Sequence, residues 1–263
     1  MLVLLAAGCG SSGTKQQRAQ VNAYFAAVNR AEAPVRNDSS AIVAALRGFS
    51  LNRVTPSEVT ALQQAERDFG RSLVAVNDIA VPEPARPLHA HVTALLARQR
   101  ELTHELIATE HYLPRFAQAV TLLPAAGRQL ANGLAALGQV KRQTVPHAMK
   151  GYAAVFAAYQ ASLQQTLTRL EALQAPAVLR PYLTSEEATL RRRVALCGMV
   201  TAALAKRDIA TANTAIHALL SPAPSAATAG AAAARAYDAR VAQVARLARQ
   251  VTLDRTRLVR TVG

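Results

Sequence analysis

Glu101 and His104 stand three residues apart in Glu101-Leu-Thr-His104. On a helix this spacing puts a carboxylate and an imidazole on one face, where helical bundles hold metal ions. His111 lies two turns further along that face, and His89 and His91 lie near its start. A two-iron centre needs a second Glu-x-x-His and further carboxylates on facing helices. A shift of 94 residues along the chain finds Ala195 and Gly198 at the corresponding places, and no other second motif occurs. Glu101, His104 and His111 are thus the metal candidates, weighed against a polar helix face that happens to contain histidine. The chain has no G-x-S-x-G, no Walker loop, no G-x-G-x-x-G after a strand, no H-E-x-x-H and no C-x-x-C. No catalytic residue and no cofactor is expected, and nothing supports an enzyme.

Cys197 sits in Val194-Ala-Leu-Cys-Gly-Met-Val200, an apolar helical run, and reads as a small core residue. Arg191-Arg192-Arg193 covers much of one helical turn, and the last helix adds Arg235, Arg240, Arg246, Arg249, Arg255, Arg257 and Arg260. The net charge of +14 is carried almost wholly by arginine, lysine occurring only at Lys15, Lys141, Lys150 and Lys206. Positive charge in excess attracts anionic lipid or an anionic polymer near a membrane. Nucleic acid is not expected, because no aromatics interleave with a basic stripe and no helix-turn-helix spacing is present.

The elements that must position these residues are helices. Trp is absent and aromatics are 4% of the chain, so the core must be built from Ala, Leu and Val. Alternating runs rich in β-branched residues are missing, which predicts an all-α protein. Val21, Tyr24, Phe25 and Val28 share a helical face that stops near Pro34. Asn37 to Ser40 can cap a short helix bearing Ile42, Val43, Leu46 and Phe49. Thr55-Pro-Ser-Glu58 is a capping box for a helix to about Ile79. Pro82, Pro84 and Pro87 break the pattern before a long helix with an interruption near Leu113-Pro114. Pro124 should kink or split the next one. Pro146 opens the clearest amphipathic helix, which ends at Ala175-Pro176. Thr184-Ser-Glu-Glu187 reads as a second capping box, and Asp208 as the cap of a short helix to Leu220. Ser221 to Gly230 is linker-like, and the last helix is predicted from Ala231 to about Arg260. The 94-residue shift lays Pro82, Arg86 and Pro87 on Pro176, Arg180 and Pro181, predicting two repeated helical hairpins. The expectation is an antiparallel bundle of six to eight helices forming a single domain over residues 15–263.

The chain opens Met1-Leu-Val-Leu-Leu-Ala-Ala-Gly-Cys9-Gly-Ser-Ser. Aliphatic residues leading into Ala6-Ala7-Gly8 and then a cysteine resemble the lipobox of bacterial lipoproteins. The resemblance covers this segment alone. It implies that residues 1–8 are the remnant of a signal peptide, and that Cys9 is lipidated and becomes the first residue of the mature protein. No Lys or Arg precedes the apolar stretch, so the start of that signal is expected upstream. Residues 9–14 read as a flexible Gly/Ser tether, and a diacylglyceryl group plus an amide-linked acyl chain exceeds the two signals that stable anchoring takes. With Cys9 so committed, no disulfide framework is available. The body resembles the small helical lipoproteins of GC-rich bacteria. The function expected is that of a non-enzymatic adaptor, scaffold or binding protein at the extracytoplasmic face of the cell membrane. It would meet a protein partner, or anionic lipid and envelope polymer through its arginines. The alternative is a helical bundle that binds a small ligand or metal on the Glu101/His104/His111 face.

Overall fold

A computed structural model of the chain describes residues 10–36, 56–139, 145–221 and 225–262. Cys9, the expected helix around Ile42 to Phe49 and the Thr55 cap lie outside the described residues. Within them the protein is all-α, without a strand. The helices are α1 (Gly10–Ala31), α2 (Pro56–Asn77), α3 (Arg86–Val120), α4 (Leu122–Gln139), α5 (Val145–Glu171), α6 (Arg180–Ala205), α7 (Ile209–Leu220) and α8 (Ser225–Val262). None of the described helices is long and apolar enough to cross a membrane. The chain divides into two compact units: residues up to Ala108 together with Asp238–Gly263, and Thr109–Tyr237.

In the first unit, α2 and α3 pack antiparallel, Gly70 lying beside Arg100 and Glu66 beside His104. Leu62, Phe69 and Val76 recur at seven-residue spacing on α2 and are fully buried, as are Val21 and Val28 of α1 and Val92 of α3. The C-terminal part of α8 adds Val251 and Leu258.

In the second unit, α4, α5, α6 and α7 form an antiparallel series around Phe156, Leu163, Leu170, Leu190 and Cys197. Gly133 and Gly151 let α4 and α5 come close: a Cβ on Gly133 would meet Val155 Cγ2 at 2.8 Å, and one on Gly151 would meet Leu137 Cδ2 at 2.7 Å.

The two hairpins share one plan. α2 ends at Asn77 and α5 at Glu171, while α3 begins at Arg86 and α6 at Arg180, each pair 94 residues apart. The packing register agrees, since Glu66 faces His104 in the first hairpin and Gln160 faces Gly198 in the second. The prolines after Asn77 and Glu171 end the two helices at the same register, and buried Phe69 and Val76 correspond to buried Leu163 and Leu170.

Several boundaries differ from the expectations. α3 runs through Pro114 without a break. A proline there removes only one backbone bond, and the neighbouring Tyr112 and Leu113 are buried, so packing holds the helix together. Pro124 does split the next stretch, but the break falls at Thr121, leaving the proline in the first turn of α4 where no amide is needed. α6 starts at Arg180, so Thr184 is interior rather than a cap. Pro181 occupies the first turn, and the chain enters by backbone bonds from Leu179 and Arg180 to the Pro176 carbonyl. α8 starts at Ser225, inside the stretch read as a linker, because the alanine-rich sequence favours helix. α1 begins at Gly10 and takes in the Gly10-Ser-Ser-Gly-Thr14 run.

The end of α6 follows the expected logic in an unexpected residue. The Asp208 amide donates to the Ala203 carbonyl and the Arg207 amide to that of Leu204, a Schellman closure. That motif wants glycine at the left-handed position, yet Arg207 occupies it at φ 59°. Arg207→Gly is expected to raise stability by about 1 kcal/mol, read as a higher urea midpoint at unchanged slope. Asp208 caps α7 as predicted, its carboxylate accepting from the Thr211 amide at 3.0 Å. Hydrogen bonding with Thr211 holds this carboxyl below its usual range.

Candidate functional site

Polar side chains gather along the seam of α2 and α3 in the first unit. The face of α2 formed by Arg67, Gly70, Arg71, Val74 and Ala75, with Asp78 just past its end, follows the 3.6-residue period. With Gln64, Glu66 and Arg100 it lines an open groove of about 1080 Å³. Arg100 of α3 lies across Gly70, its Nε 3.6 Å and Cζ 3.7 Å from the place a Cβ would take. A second groove of about 580 Å³ shares Glu66 and Arg100 and adds Leu73, Ala97, Glu101, His104 and Glu105.

His104 meets a carboxylate from another helix: its Nδ1 lies 2.8 Å from Glu66 Oε1. Glu101 pairs instead with Arg98, and Glu105 with Arg240 of α8. His111 is exposed and belongs to the second unit. Among the described residues no three His, Cys, Asp or Glu side chains are placed to hold a metal ion. Beneath the seam, Gln64 donates to buried Asp68 at 2.8 Å and Arg71 pairs with its other oxygen. These bonds, Gln64's foremost, hold the Asp68 carboxyl below its usual range against the opposing effect of burial.

A second polar constellation ties α3 to α8. His91 Nδ1 lies 2.6 Å from Asp254 Oδ2, and Gln250 Nε2 donates to Asp254 Oδ1 at 3.0 Å. Arg255 pairs with Glu32, beyond the end of α1. An imidazole held by a buried carboxylate is the orienting half of a general-base dyad, but no hydroxyl or thiol bonds to His91 among the described residues. The His91–Asp254 bond clamps α3 to α8. Asp254→Ala is expected to cost about 2 kcal/mol, since it strands Gln250 and His91; His91→Gln, which can still donate, should lose much less in the same denaturation series.

One arginine of the basic run is engaged. Arg191 bridges Glu171 at 2.8 Å and Glu187 at 3.1 Å, whereas Arg192 is exposed. Arg246, Arg249 and Arg260 of α8 are exposed without an ion pair among the described residues. Cys197 is fully buried in the core of the second unit, and burial pushes its thiol up to about 11, away from nucleophilic use.

The Glu66–His104 pair and the Arg100–Gly70 approach were not visible in the sequence, because each joins residues thirty or more positions apart. The repeat matches residues of one hairpin to those of the other, but no pattern within either helix fixes which residues of α2 and α3 face each other.

Fold and site together define an all-α bundle with charged grooves between its helices. No protein-family model, curated protein or solved structure matches the chain.

Proposed function

We propose that the protein is a lipid-anchored, extracytoplasmic adaptor of the bacterial cell envelope, held at the membrane through acyl chains on Cys9 and engaging a protein partner through an exposed helix face. The observation that carries the anchoring reading is the run Leu4-Leu5-Ala6-Ala7-Gly8-Cys9. The adaptor reading draws on apolar side chains left in solvent: Leu253 and Val259 on α8, Met199 on α6, Ile209 and Leu220 on α7. Large apolar side chains left in water gain from contact with a partner. The exposed arginines Arg192, Arg246, Arg249 and Arg260 add attraction to anionic lipid or envelope polymer, an attraction that weakens as salt rises. A metal-binding alternative through Glu101, His104 and His111 gains Glu66 beside His104, but Glu101 is taken up by Arg98.

Replacing Cys9 by serine in the producing bacterium tests the anchor. The expected outcome is a chain that no longer takes up labelled fatty acid and keeps the residues before position 9. Labelling equal to that of the unaltered chain would refute it.

A further inference from the structure

The two hairpins supply their own control. The second builds the same helix ends and the same packing register with neutral residues where the first carries charge: Ala161, Gln165 and Val194 stand 94 positions after Arg67, Arg71 and Arg100. The hairpin therefore does not need these three arginines in order to form. They nevertheless line one groove, two of them a helical turn apart on α2 and the third laid over Gly70 from α3. Arg67 bonds Gln64 at 2.9 Å and Arg71 bonds Asp68, while Arg100 has no ion-pair partner among the described residues.

Past the arginines, the floor is apolar. Val74 is 62% exposed and Ala75 is exposed beside it, so hydrocarbon is left in water within the groove. Asp78 closes the far end, roughly 6 Å along the helix from Val74. It would repel a second anionic group and tolerate a neutral tail. Glu66 also faces the groove, but its Oε1 is engaged by His104.

We propose that the α2/α3 groove is a binding site for an oxyanion carried on a short apolar chain, with the Arg100, Arg67 and Arg71 guanidiniums holding the anionic group and Val74 and Ala75 taking the chain. Guanidinium pairs oxyanions in a planar, bidentate geometry. The ligand is either an anionic phospholipid or a soluble alkyl-bearing phosphate or carboxylate. The inference does not rest on the anchoring reading, and a Cys9→Ser chain is expected to bind equally well.

Titration calorimetry on the full chain at low salt tests it, with hexyl phosphate as probe. Hexyl phosphate should bind more tightly than inorganic phosphate, and hexyltrimethylammonium should not compete. The variant Arg67→Ala/Arg71→Gln/Arg100→Val takes each residue from the second hairpin, and should weaken binding by about ten-fold or more with unchanged helical circular dichroism. Removing equal charge elsewhere, by Arg115→Gln/Arg128→Gln/Arg192→Gln, should change binding by less than about two-fold. Val74→Glu, at an exposed position, should abolish binding on its own and serves if the triple variant fails to fold. Dihexanoylphosphatidylglycerol binding more tightly than hexyl phosphate assigns the site to phospholipid, and the reverse order to a soluble amphiphile. Equal affinity for inorganic and hexyl phosphate, competition by the ammonium probe, or equal losses in the two triple variants would overturn the proposal.

Discussion

Phe69→Ala is expected to cost about 3–5 kcal/mol, the largest single loss among substitutions in the first unit. Phe69 is fully buried on the inner face of α2. In a chain with no Trp and only five Phe, its ring fills volume that Ala, Leu and Val neighbours cannot easily recover. Its counterpart in the second hairpin is Leu163, also fully buried, where truncation to alanine is expected to cost about 2–5 kcal/mol. Denaturation in urea measures both. A loss under about 1 kcal/mol at Phe69 would mean that α2 does not pack through this face.

Alkali should weaken the protein before its arginines titrate. Burial pushes the Cys197 thiol from about 9 to about 11, Arg193 opposing in part. Burial likewise pushes the Tyr24 hydroxyl from about 10 to about 12, with Arg255 lowering it and Glu32 raising it by smaller amounts. In both cases the folded protein holds the proton more tightly than the unfolded chain. The associated stability is complete below the unfolded value and is lost as pH rises through the folded one. Each shift corresponds to at most about 3 kcal/mol, felt by the unit that holds the group: the second for Cys197 and the first for Tyr24. Stability followed by urea midpoint should fall between pH 9 and 11 with a contribution that Cys197→Ala removes, and fall again between pH 10 and 12 with one that Tyr24→Phe removes. If both variants keep the full alkaline slope, neither group is buried as described.

Much of the fold could be read from local chemistry. The apolar spacing along Leu163, Leu167 and Leu170 and the Asp208 cap act within a turn or two and appear where the residues predict them, while the helices before Pro82 and Pro176 end at Asn77 and Glu171, two and four residues short of the expected ends. The misplaced boundaries arose where two local signals competed. Thr184-Ser-Glu-Glu187 carries the letters of a capping box, but Pro181 had already opened α6. Pro114 carries the letter of a break, but buried Tyr112 and Leu113, within the turn that lacks the bond, anchor the helix. The Ser221 to Gly230 stretch looks like a linker by its prolines, yet from Ser225 onward its alanines favour helix.

The candidate site was only half legible. His104 was singled out, but with Glu101 as its companion. On the helix the two share a face, while the structure gives His104 to Glu66 of α2 and Glu101 to Arg98. A pairing between residues 38 apart depends on how two helices are aligned, which a pattern within either helix does not determine. The arginine groove was missed for the same reason. Arg67, Arg71 and Arg100 each look like ordinary solvated charges until the packing of α3 on α2 lays the third over Gly70, on the helix of the other two. By contrast, Arg191 in the conspicuous arginine run is bridged by Glu171 and Glu187.

Mass spectrometry of the N-terminal peptide, from protein extracted out of the producing bacterium's membranes, tests the proposed lipidation of Cys9 most directly. The predicted result is a peptide beginning at Cys9, with a diacylglyceryl thioether on its sulfur and an acyl chain on its amino group. A peptide that begins before Cys9 and takes up an alkylating reagent on that thiol would contradict it.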